Sequence, residues 1–156
     1  MRTDQRTSVV ILDPFEDERD MYAMYLRAAG FDVWAHEHAA EAWRTLATQR
    51  ADAIILRLRQ LPPGASGIDF VRELRQSRAT CHLAVVMITT SMRHEDEDAA
   101  CRAGTDSYLL LPVRPDEMVA EVQRVMRLGR RPAALRRRGA IHREHAPAKA
   151  SETACS

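Results

Sequence analysis

The sequence predicts an α/β domain: a doubly wound, five-stranded parallel sheet with helices on both faces. Three observations lead there. Short continuous apolar runs recur five times, as expected of strands buried on both faces. Each run is followed by a stretch with apolar residues at three-to-four spacing, the mark of a helix with one buried side. The length of 156 residues, 46% hydrophobic and 29% charged, supports one hydrophobic core and is short for two.

The elements follow in order. Val9 to Leu12 is a β-branched run ending at Asp13-Pro14, and Asp17 to Ala29 reads as a helix with Met21, Tyr22, Tyr25 and Leu26 on one side, stopped by Gly30. Phe31 to Ala35 is a weaker second strand, and Ala39, Ala42, Trp43, Leu46 and Ala47 mark the next helical face. Ala53 to Leu56 is the third strand, Leu61 to Gly67 a loop by composition, and Ile68, Val71 and Leu74 the inner face of a third helix. Leu83 to Ile88 is the most apolar strand; the acids of His94 to Asp98 suit the start of a short helix that Gly104 closes. Tyr108 to Leu111 is the fifth strand, cut by Pro112, and Pro115 opens a last helix that buries Met118, Val122, Val125 and Met126.

Composition excludes several classes. No apolar run approaches the roughly 18 residues of a membrane span, and the polar stretch Met1 to Ser8 lacks a signal-peptide core. Three cysteines, 81, 101 and 155, without a CxxC pair point to a reducing cytoplasm, and Cys81 and Cys101 read as passive thiols. His36, His38, His82 and His94 show no metal-ligand spacing and read as surface residues. Charge is unevenly spread: residues 1–129 carry 16 arginines against 20 acids, a net −4, whereas residues 130–156 carry six arginines, one lysine and two acids, a net +5. All eight aromatic residues lie at or before Tyr108. The division expected is therefore a folded domain over 8–129 and a basic, disordered tail over 130–156. Lys149 is the only lysine.

Open parallel sheets place their sites at the carboxyl ends of the strands. The residues to question are Asp13 and Pro14, Arg57, Thr89 and Thr90, and Leu111.

Over roughly residues 8–128 the sequence resembles the receiver domain of bacterial response regulators. The resemblance rests on an ordered set of stations: VVILD at 9–13, AAGFDV at 28–33, ADAIIL at 51–56, PPGASG at 62–67, MITT at 87–90 and AGTDSYLLLP at 103–112. It implies the flavodoxin-like strand order 2-1-3-4-5 and a cis bond at Leu111–Pro112. It also implies a site in which an aspartate after the third strand accepts a phosphoryl group. Two acids after the first strand hold Mg²⁺, and a hydroxyl after the fourth strand and a lysine after the fifth contact the phosphoryl oxygens.

Carried over residue by residue, the acid pair becomes Asp13 and Pro14, the acceptor Arg57, the hydroxyl Thr89 (or Thr90), and the lysine Leu111. A guanidinium accepts no phosphoryl group, and its permanent charge repels a divalent cation. No aspartate lies between Asp52 and Asp69 to replace the acceptor. The segment from Arg57 to Gly67 is also about two residues longer than is usual in the family. The resemblance is thus to a degenerate receiver, with catalytic residues, metal ligands and cofactors all expected to be none. Asp13 is open to two roles, hydrogen bonding to nearby loop amides or pairing with Arg57. Arg57 is expected to pair with at least one of Asp13, Glu16 and Asp17. Tyr108 resembles the family's switch aromatic, which moves between exposed and buried positions; as structure alone it is an amphipathic side chain at a sheet edge.

The leading expectation is a stand-alone, non-enzymatic signalling module of the two-component type. The partner would be another protein or a second copy, docked on the face of the fourth helix, fifth strand and fifth helix that the family commonly uses. The second is a nucleic-acid-associated regulator acting through Arg130, Arg131, Arg136, Arg137, Arg138 and Arg143. An enzyme of another kind ranks last, because the sequence holds no Gly-rich phosphate loop and no nucleophile with a base.

Overall fold

In the computed structural model, which describes residues 6–59 and 66–128, each apolar run is a strand and each amphipathic stretch a helix. The order is β1 (Ser8–Leu12), α1 (Glu16–Ala28), β2 (Asp32–His36), α2 (Ala39–Thr48), β3 (Ala53–Arg57), α3 (Gly67–Gln76), β4 (Ala84–Thr89), α4 (His94–Ala103), β5 (Ser107–Leu110) and α5 (Pro115–Leu128). All neighbouring strands pair in parallel, in the order β2-β1-β3-β4-β5, so the expected sheet is the observed one. The Leu111–Pro112 bond is cis, as the resemblance implied. The expected tail, 130–156, and loop residues 60–65 lie outside the described residues.

Strand parity divides the core in two. Val10, Leu12, Ile54, Leu56 and Met87 face α2, α3 and α4, where Ala42, Phe70, Leu74 and Ala100 cover them. Their neighbours Val9, Ile11, Ile55 and Ile88 face α1 and α5 and meet Tyr22, Leu26, Met118 and Val122. This alternation is the two-residue period of a strand buried on both sides. It also decides where the side chains just beyond each strand point.

Some boundaries differ by a residue. The second strand starts at Asp32, not Phe31, because the Phe31 N–H is held by the Leu26 carbonyl at the end of α1, 3.1 Å away. The fifth strand is Ser107–Leu110, one residue earlier than Tyr108 to Leu111; Leu111 still bonds to the Thr89 carbonyl, but Pro112 offers no N–H to continue. On α2, Ala47 is exposed and not part of the buried face. At the start of α3, the Ser66 Oγ accepts the Ile68 N–H at 3.2 Å, a side-chain cap. Gly67 then passes so close to β3 that a Cβ would sit 2.4 Å from the Arg57 carbonyl oxygen. Only glycine fits there. Among the described residues, no helix is long and apolar enough to cross a membrane.

Candidate functional site

The site is built at the carboxyl ends of β1 and β3. Leu12 pairs with Leu56 across these strands, so Asp13 and Arg57 follow side by side. By parity both lie on the α1 side of the sheet, since Ile11 and Ile55 before them face that way. Asp13 is fully buried and Arg57 is 4% exposed. Their contact is bidentate: Arg57 Nε donates to Asp13 Oδ1 at 3.0 Å and Nη2 to Oδ2 at 3.2 Å. Nη2 also donates to the Glu18 carboxylate from the first turn of α1. The Phe15 ring lies over the guanidinium, 4.4 Å from Cζ to centroid. One cation thus sits between two carboxylates under an aromatic face.

Asp13 takes both roles left open for it. Besides Arg57, its Oδ1 accepts the Phe15 N–H at 3.0 Å, closing a turn across Pro14. Its backbone carbonyl accepts Arg19 Nη1 at 2.8 Å, so α1 is tied to the strand end a second time. Arg57 does pair with Asp13, but its second partner is Glu18, not Glu16 or Asp17. Beneath the cluster the buried Tyr22 hydroxyl donates to the Val113 carbonyl at 3.2 Å. Burial, reinforced by the Glu18 and Asp13 charges, pushes its pKa up to about 12.

Parity separates the remaining candidates. Leu111 packs on the apolar layer shared by α1 and α5 and brings no charge to the site. Thr89 points to the other side of the sheet, where its Oγ1 accepts the Ser91 N–H at 3.0 Å. Tyr108 belongs to that side too: it is 4% exposed, its hydroxyl 3.4 Å from the Ser91 carbonyl and within hydrogen-bonding reach of Thr89. Burial, with the nearby Asp96 and Glu97 charges, pushes its pKa up to about 12. Thr90 is exposed.

Of the four histidines weighed as metal ligands, His38, His82 and His94 are exposed as expected. His36 is the exception: half-buried at the end of β2, it bonds Thr45 Oγ1 through Nε2 at 2.7 Å, and burial lowers its pKa. Among the described residues no group of three or more His, Cys, Asp or Glu is placed to hold a metal ion.

The sequence reading missed four residues: Glu18, Arg59, Ser91 and Asp96. Arg59 Nη2 donates to Asp96 Oδ1 at 2.6 Å, and the Ser91 hydroxyl donates to Asp96 Oδ2 at 2.5 Å. Asp96 is buried, and the Ser91 hydroxyl, followed by Arg59, holds its carboxyl below the usual carboxylate value. The only sequence signal was its place among the acids opening α4, which read as a complement to the helix dipole.

A doubly wound sheet of this order, with an acid after its first strand and polar residues at its carboxyl ends, is the architecture that receiver domains share with other flavodoxin-like proteins. The family model for the response regulator receiver domain matches residues 9–123, and the chain belongs to that family, the receivers of two-component signalling. It is 28% identical over 120 residues to the phosphate regulon transcriptional regulatory protein PhoB of Pseudomonas aeruginosa, covering 77% of this chain and 52% of that protein. It is 30% identical over 122 residues to the DNA-binding response regulator MtrA of Mycolicibacterium paratuberculosis, covering 78% and 52%. The chain spans about half the length of the curated relatives it matches. Among solved structures it is similar to the chemotaxis response regulator CheY4 of Vibrio cholerae, with a TM-score of 0.71 and 25% identity over 78% of this chain and 99% of that one.

Proposed function

We propose that the chain is an atypical receiver that signals by binding a protein partner, without accepting a phosphoryl group and without enzymatic activity. The observation that carries this reading is the burial of Arg57 between Asp13 and Glu18. At the position of the family's acceptor stands a side chain with no nucleophilic oxygen. Both oxygens of Asp13, the one acid retained from the family's set, are engaged by that cation. The residues present do not fit Mg²⁺, because a fixed positive charge stands where the ion would need carboxylate ligands. The guanidinium supplies in permanent form the charge that an active relative takes from its metal, and so holds the loop after β1 and the start of α1 in one arrangement. Tyr108 is in the buried one of its two family positions, which suits a partner surface on α4, β5 and α5 that is formed without phosphorylation.

The test is incubation with acetyl phosphate and Mg²⁺ followed by intact mass measurement. The expected result is no gain of a phosphoryl group under conditions that modify an active receiver run in parallel. Acid-labile incorporation into the wild type would overturn the reading.

A second reading is favoured by the charge split, net −4 over 1–129 against +5 over 130–156. The arginines at 130, 131, 136, 137, 138 and 143 lie outside the described residues and suit phosphate contacts on nucleic acid. Such contacts are salt-dependent and largely blind to sequence. Two matched relatives are named as a transcriptional regulatory protein and a DNA-binding response regulator. Binding to duplex DNA that weakens steeply with salt and is lost on changing Arg136, Arg137 and Arg138 to Glu supports this reading; no binding at low salt removes it.

A further inference from the structure

Two residues beyond Arg57, a second arginine reaches the opposite side of the sheet. Arg59 leaves β3 with its side chain 60% exposed and ends on Asp96, whose own side chain is 9% exposed in the first turn of α4. The other Asp96 oxygen takes the Ser91 hydroxyl. The same Ser91 Oγ accepts the Arg93 N–H at 3.3 Å, the residue before α4. The Ser91 N–H is held by Thr89 and its carbonyl by the Tyr108 hydroxyl. Ser91 therefore meets, through its hydroxyl, amide and carbonyl, the end of β4, the start of α4 and the aromatic of β5. Of Arg59, Asp96, Ser91 and Tyr108, the side chain that solvent reaches freely is that of Arg59.

We propose that Arg59, Asp96, Ser91 and Tyr108 form a latch through which the segment leaving β3 sets the β4–α4 loop, the first turn of α4 and the seat of the tyrosine. The coupling runs on the α4 side of the sheet and does not pass through Asp13, Arg57 or Glu18. It is independent of whether any group binds at the Arg57 cluster. It gives the α4 surface a control point at an exposed guanidinium, the group a partner's carboxylate or phosphate would compete for. Met92, 81% exposed between Ser91 and Arg93, is the apolar side chain whose presentation the latch fixes.

Hydrogen exchange on the full chain tests this, with Arg59→Ala, Arg59→Lys and Arg72→Ala compared with wild type. Arg72 is a control of similar exposure, paired with Asp69 on α3. With Arg59→Ala, exchange of the amides of residues 91–99 is expected to rise roughly fivefold, the size of a partly exposed ion pair. The ¹³Cζ resonance of Tyr108 is expected to move, and α2 to exchange as in wild type. Arg59→Lys should recover part of the protection, and Arg72→Ala should leave 91–99 unchanged. Ser91→Ala, which keeps both charges, should loosen the same amides. Unchanged exchange over 91–99 and an unmoved Tyr108 signal in both Arg59→Ala and Ser91→Ala would overturn the latch. So would equal acceleration in α2, which would mark a general loss of stability.

Discussion

Two shielded arginines hold the two ends of this sheet, and they hold them differently. At the amino ends of β4 and β5, Arg75 of α3 donates to the carbonyls of Cys81, Leu83 and Gly104 at 2.6 to 3.0 Å and to the Asp106 carboxylate at 2.9 Å. At the carboxyl ends of β1 and β3, Arg57 donates only to carboxylates, those of Asp13 and Glu18. Backbone carbonyls are present whatever the sequence, so Arg75 is a structural pin that any loop of the right shape would accept. Carboxylates must be encoded. An ion cluster at the ligand-binding end of a doubly wound sheet therefore records a choice about the site, whereas the opposite end records stability.

The comparison predicts that truncating Arg57 is the more costly change. Arg57→Ala leaves the fully buried Asp13 with one amide donor and no counter-charge, and should lower unfolding free energy by about 3 kcal/mol. Paired with Asp13→Asn, an Arg57→Met change should recover most of that loss, because a buried ion pair contributes geometry more than net stability. Urea titrations of the three proteins check this; equal losses for the single and double variants would break the distinction between the two ends.

Arg75→Ala removes charge-assisted bonds to carbonyls at a half-buried position, where water replaces part of what is lost. An effect of about 2 kcal/mol is expected in the same titration. No second-site change should rescue it, since its main acceptors are backbone.

A smaller effect concerns pH. Guanidinium groups keep their charge across the accessible range, so a step near neutrality must come from another group. His36, whose carbonyl accepts the Asp13 N–H at 3.1 Å, has its pKa lowered by burial first and by Arg19, against an opposing effect of Glu41. The unfolded chain then binds more protons below its ordinary value of 6.5. Stability is therefore complete above that pH and falls as pH drops from 6.5 toward the lowered folded value. His36→Gln should flatten this portion of a thermal-melt pH series. A curve unchanged by the substitution would remove His36 from the account.

Much of this architecture was legible from the chain. Continuous apolar runs announced the buried strands, and the strand order implied by the family resemblance, with β1 next to β3, set Asp13 beside Arg57. Glu18 was missed for a reason of helix geometry. The first two acids of α1, Glu16 and Asp17, seemed nearer in sequence, but Cβ vectors tilt toward a helix's N-terminus, so the third residue reaches back over the strand end. The Arg59–Asp96 contact spans 37 residues and two intervening elements, and no local pattern signals it. Arg75 was equally silent, because carbonyl acceptors leave no trace in the sequence.

The most direct measurement follows the backbone amides of Asp13 to Glu18 by NMR during a Mg²⁺ titration, in wild type and in Arg57→Asp. If Arg57 stands in for the cation, wild-type resonances stay in place through millimolar Mg²⁺. The Arg57→Asp variant, with the guanidinium gone and a second acid beside Asp13, shows saturable shifts in the same amides and a melting temperature raised by the ion. Saturable wild-type shifts at those amides would contradict the account.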